Sequence, residues 1–174
     1  MIRGLSGRLP AIIWCLLAVV WALPAAAQSD GSPQALLAKA VASLQRAEQL
    51  VADDAEGALA AAKEARLQFG DLQKALASQL TEKHLTADQS EKEQLNLKLA
   101  EDLFKKGELF QKAAQEKLNR SKQLRSQGEE AAAQNLEGVA QIEGRLALQH
   151  FVRSEIFGLK NQQMVFESML KAAN

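Results

Sequence analysis

Beyond residue 27 the chain has no cysteine, no tryptophan and no tyrosine; its one cysteine, Cys15, and both tryptophans, Trp14 and Trp21, lie in the first 27 residues. That stretch can form no disulfide, so helix packing, a partner or oligomerisation must hold it together. Most nucleophilic and ligand-binding chemistry loses its usual side chains with them. No segment alternates apolar and polar residues as a strand would, and no glycine-rich loop for phosphate is present. An excess of one charge is missing as well. Arg3 and Arg8 fall in the first 27 residues, leaving 19 basic against 21 acidic residues and a net charge of minus 2. Near neutrality argues against a general binder of nucleic acid or acidic lipid.

What is present begins with MIRGLSGRLPAIIWCLLAVVWALPAAA. Two arginines, the apolar run from Ala11 to Leu23 between Pro10 and Pro24, and Ala25-Ala26-Ala27 ahead of a polar start have the layout of a secretory signal peptide. A membrane anchor needs about 20 apolar residues, more than this run supplies. Cleavage is expected after Ala27, giving a periplasmic chain of 147 residues. Residues 28–32 read as a flexible leader and 33–174 as a single helical domain.

Within that domain, Ser32-Pro33 is a helix start, with serine as N-cap and proline at the first helical position. Leu37, Val41, Leu44, Ala47 and Val51 form one apolar stripe, until Asp53-Asp54 marks the N-cap of a second helix. There the expected stripe is Leu59, Ala62, Ala65 or Arg66, Phe69, Leu72, Leu76, Leu80 and Leu85. Alanine early in it allows two helices to approach closely. Thr86 with Gln89, and Ser90 with Glu93, are overlapping capping-box patterns that place the next helix start near 86–90. Leu95, Leu99, Leu103, Phe110, Ala113 or Ala114, Leu118 and Leu124 then follow at close to a seven-residue repeat. Ser126-Gln127-Gly128-Glu129 reads as a tight turn with a further capping box, against the alternative of one helix from about 90 to 172. Leu136, Val139, Ile142, Leu146, Phe151 or Val152, Leu159, Phe166 and Met169 or Leu170 carry helical spacing to the end. The fold class expected is all-α: an elongated antiparallel bundle or coiled coil, with a short hairpin about 33–85 and a long one about 90–172.

Charge favours the reversal at Gly128. Lys105, Lys106, Lys112, Lys117, Arg120, Lys122 and Arg125 face only Glu108 and Glu116, whereas Glu129, Glu130, Glu137 and Glu143 precede Arg145. Folding back lays a basic limb beside an acidic one, steering register more than adding stability. As a separate site, the basic face could meet an anionic membrane surface, but a solvated face or an intramolecular partner for the acidic limb is the favoured reading.

His84 and His150 are weak metal candidates. They lie 66 residues apart, neither has helical chelate partners, and Glu82-Lys83-His84 puts its carboxylate and imidazole on different faces. Gly138 and Gly144 sit in a helical pattern where close packing is the plain explanation. No catalytic constellation emerges, so neither an enzyme nor a cofactor is expected. The most apolar stretch, FVRSEIFGLKNQQMVFESML, covers more than one helical face. Phe151, Phe157, Met164, Phe166 and Met169 are therefore candidate partner contacts, although a role as bundle core is the stronger reading. In its signal peptide, lack of cysteine beyond residue 27 and long antiparallel helices the chain resembles periplasmic helical chaperones of the Skp class; those are basic and trimerise through strands, features missing here, so no membership follows.

The function expected is a non-catalytic periplasmic adaptor, scaffold or chaperone-like accessory of an envelope complex. It would bind a protein partner, or itself, through amphipathic helix faces, and no nucleic acid. A small metal or ligand sensor using His84, His150 and the methionines is the alternative, followed by membrane-surface binding through residues 105–125.

Overall fold

A computed structural model of the chain describes residues 31–77 and 85–172; the expected signal segment with its cleavage point, Leu80 and His84 lie outside them. Among the described residues the regular elements are four helices, α1 (Pro33–Leu50), α2 (Ala55–Leu76), α3 (Ala87–Ser126) and α4 (Glu130–Ala172), with no strand.

Local chemistry sets the helix ends. Ser32 caps α1 by accepting a bond from the Ala35 amide at 3.2 Å, with Pro33 in the first turn. Asp54 caps α2 through the Gly57 amide at 2.9 Å. Thr86 and Gln89 close a reciprocal box at the start of α3, the Gln89 amide donating to the threonine hydroxyl and the Thr86 amide to the glutamine side chain. The overlapping Ser90 and Glu93 pattern therefore falls inside a helix already begun.

At the far end of α3, Gly128 takes a φ of +83°, the conformation glycine adopts without steric cost. Its amide donates to the Arg125 carbonyl at 3.2 Å and the Glu129 amide to the Leu124 carbonyl at 3.0 Å, the paired closure of a helix C-terminus. The chain reverses there, so α3 and α4 are separate helices. Ser126 does not cap α4 as its spacing with Glu129 suggests. Its hydroxyl turns back to the Gln123 carbonyl at 2.6 Å, finishing α3 instead.

Helix α4 is the common element: α1 and α2 pack on each other and on α4, whereas α3 touches α4 alone. Three contacts set the level of the short hairpin. Gln149 donates to the Ala52 carbonyl in the α1–α2 turn at 2.9 Å, Arg66 pairs with Glu155, and Lys160 pairs with Glu48. The hairpin thus covers α4 from about residue 149 to its C-terminal end. Leu44, Phe69, Leu72, Val152, Leu159 and Phe166 lie in one buried cluster, and Phe69 stacks on Phe166 at 5.8 Å. Each such side chain contributes about 1.5–3 kcal/mol when fully buried. Ala40, Ala47, Ala58, Ala62 and Ala65 are fully buried beside them, the close approach that alanine permits.

This arrangement accounts for the apolar excess at residues 151–170. α3 covers one side of α4 there, and α1 with α2 cover the other.

Candidate functional site

Toward Gly128, α3 and α4 continue without the short hairpin as a two-helix limb. Some 20 residues of each helix extend it by about 30 Å. Its inner seam is not the leucine stripe the sequence suggests. The buried positions are Gly107, Ala114 and Ser121 on α3, and Ala133, Ala140 and Ala147 on α4, each set seven residues apart. Leu95 is 55 % exposed, Leu99 36 % and Leu118 37 %, while Val139 and Ile142 of α4 also face outward. Leu103, Phe110, Leu124, Leu136 and Leu146 flank the seam, half-buried. Small residues won the seam because they let the helix backbones approach, which displaces bulky side chains to its margins. At Gly107 the space a Cβ would need is taken by the Phe151 ring, 2.6 and 2.7 Å from that position.

Polar contacts tie the same two helices. Lys117 donates to both Glu143 oxygens at 2.7 and 2.9 Å, and Arg125 reaches Glu130 at 3.2 Å and Glu137 at 3.1 Å. Basic limb and acidic limb do lie side by side. Buried Ser121 donates to Glu137 at 2.6 Å; this bond, then Arg125, holds the Glu137 carboxyl below the usual carboxylate range. Glu130 and Glu137 in turn push the Arg125 guanidinium up.

The seven basic candidates therefore divide. Lys105 is paired with Glu101 on its own helix, and Lys117 and Arg125 are paired across the seam. Lys106, Lys112, Arg120 and Lys122 are exposed and form no ion pair among the described residues.

His150 is half-buried, its ring stacked on Phe110 at 5.4 Å, with Nδ1 shielded and without a hydrogen-bond partner. Burial, then Arg153 and Lys106, push its pKa down. Its charged neighbours are thus cations, not ligating carboxylates. Among the described residues no three His, Cys, Asp or Glu side chains come together to hold a metal.

Of the candidate partner contacts, Met164 and Phe166 are buried, and Met169 packs against the core cluster. Phe151 is half-buried against Gly107 and 5.3 Å from Phe104; half-buried Phe157 has the Lys160 ammonium over its ring at 5.4 Å. The structure thus brings Phe151, Met164, Phe166 and Met169 into intrachain packing, and sets Phe157 against Lys160 of its own helix.

What reading the sequence for buried stripes overlooks is the apolar surface left outside. Leu109 is 68 % and Ile142 60 % exposed. On one flank of the limb a shallow groove of about 330 Å³ runs between the helices, lined by Gln111, Ala114, Leu118, Gly144, Leu148 and Phe151. A cue was available: these apolar residues stand off the seven-residue repeat of small ones. Among the described residues no helix is long and apolar enough to cross a membrane. Compared with known protein families, curated proteins and solved structures, the chain matches none.

Proposed function

We propose that this chain is a non-catalytic periplasmic adaptor or scaffold, exported by its N-terminal segment and cleaved after Ala27. The limb, an antiparallel coiled-coil hairpin, serves as its binding element. The observation that carries the reading is the division of apolar surface. Most of the C-terminal apolar stretch is spent inside the chain, while the groove around Leu118, Gly144 and Phe151 stays open on a limb anchored only at its base. A groove between two helices suits the apolar face of a partner helix, which would insert a row of side chains at helical spacing.

A photo-crosslinking residue at Leu118 tests this in living cells, with Leu67, exposed on α2, as the control position. Gly144→Leu supplies the block. A Cβ at 144 meets nothing within 4 Å, so a side chain there can enter the groove. A defined adduct at 118, missing at 67 and lost with Gly144→Leu, is expected, on a chain whose mass begins at Gln28. Equal adducts at both positions, indifference to Gly144→Leu, or a chain retaining residues 1–27 would overturn the reading.

A further inference from the structure

Because α3 touches no other element than α4, its outward face is unpartnered among the described residues. On that face Asp102, Lys106, Leu109, Ala113, Glu116 and Arg120 follow at steps of four and three, the spacing by which one helix packs along another. Leu95 and Leu99 continue the stripe toward the start of α3. None of the four charged members forms an ion pair, although Lys117, Arg125, Glu137 and Glu143 of the same limb are all paired.

We infer that this stripe binds a second copy of itself, α3 against α3, antiparallel about a two-fold axis. The order of residues is self-complementary in that orientation alone. Run against itself it places Asp102 opposite Arg120 of the second copy, Lys106 opposite Glu116, and Leu109 opposite Ala113, each contact occurring twice. A parallel pair would set every charge against its own kind. Sliding the antiparallel pair by seven residues either way sets these charges against apolar or uncharged side chains and buries them unpaired. One register therefore satisfies the stripe, a condition an isologous interface must meet and a generic solvated face need not.

The dimer is weak and reversible. From Leu95 to Arg120 the stripe is about 38 Å long and one helix, about 10 Å, wide. That falls short of the ~800 Å² per partner of a standard stable interface. The four exposed ion pairs set orientation and register more than affinity, so association weakens as salt rises. This surface lies apart from the groove lined by Leu118 and Gly144, so either assignment can fail alone.

Sedimentation velocity at high micromolar concentration, on protein recovered from cells expressing the full sequence, decides it. Wild type should dimerise reversibly, whereas K106E alone and E116K alone should stay monomeric with unchanged helical circular dichroism. Mixed one to one, the two variants should pair, since each then meets opposite charge at both positions; the double variant K106E/E116K should dimerise by itself. A monomeric wild type, single reversals that dimerise like wild type, or a mixture that stays monomeric would each overturn the inference. The Leu118 adduct and its loss in Gly144→Leu should be unchanged by K106E.

Discussion

His150 shows how one side chain couples packing to solution conditions. Stacked on Phe110, with Nδ1 shielded from water and Arg153 and Lys106 near, its imidazole is held below the ordinary value of 6.5. The folded chain then binds this proton less readily than the unfolded chain does. Stability contributed by the neutral ring is present above the ordinary imidazole range and is lost as pH falls through about 6.5 toward the depressed folded value. The urea midpoint of wild type should drop between about pH 7.5 and pH 5.5, while His150→Phe, which keeps a ring on Phe110, should lose much of that slope. An equal drop in both proteins would assign the effect to another group. At this scale the sequence offered His150 as a weak metal candidate and Ala114 as one of two choices on the α3 stripe, but was silent about Gly107 and Ser121. Small side chains carry little hydropathy, so a reading weighted by apolar size passed over them in favour of Leu95, Leu99 and Leu118.

Between elements, the joint of α3 to α4 combines the small-residue seam with a polar clasp near the base. Asn96 donates to the Asn161 side chain at 2.8 Å, both residues buried; Asn161 donates to the Glu93 carbonyl at 3.1 Å, and Ser154 to the Ala100 carbonyl at 2.7 Å. Ser154 and Asn161 prolong the seven-residue series of Ala133, Ala140 and Ala147, so α4 runs one seam that changes from apolar to hydrogen-bonded. Asn161→Leu strands the Asn96 amide in a buried site and should cost about 1–3 kcal/mol, as Asn96→Leu should in its turn. The double variant strands neither partner, so its loss in urea denaturation should fall clearly below the sum of the two. Strict additivity would mean that the amides do not act as a pair. Helix ends were the most legible part of the sequence, since Ser32-Pro33, Asp54, Thr86-Gln89 and Gly128 each act through backbone groups a few residues away. The clasp joins residues 65 apart, and no local rule links Asn96 to Asn161.

Taken whole, the molecule has a thick end and a thin one. At the base, Val152, Ile156, Leu159 and Phe166 of α4 meet Leu44, Phe69, Leu72 and Leu76 of the short hairpin in one cluster. The limb closes over Gly107, Ala114, Ser121, Ala133 and Ala140, side chains that remove little apolar area from water, at about 25 cal/mol per Å². The apolar density of residues 151–170 was legible as core, but nothing in the chain's composition foretold that Leu95, Leu99, Leu109 and Leu118 of α3 would remain outside. Stability graded along the long axis follows, because regions with few buried apolar contacts open at lower free energy than the whole. In native-state hydrogen exchange at low protein concentration, amides of residues 110–125 and 131–146 should exchange together through a partial opening. Those of 61–76 and 152–166 should exchange only at the global limit, and small amounts of urea should leave this order intact. Uniform protection along α4 would show that the limb opens only with the base, and that the seam of small residues transmits more cohesion than its buried area supplies. Raising concentration should then slow exchange in α3 of the limb before it changes the base, since association on the Leu109 face holds that helix without touching the core.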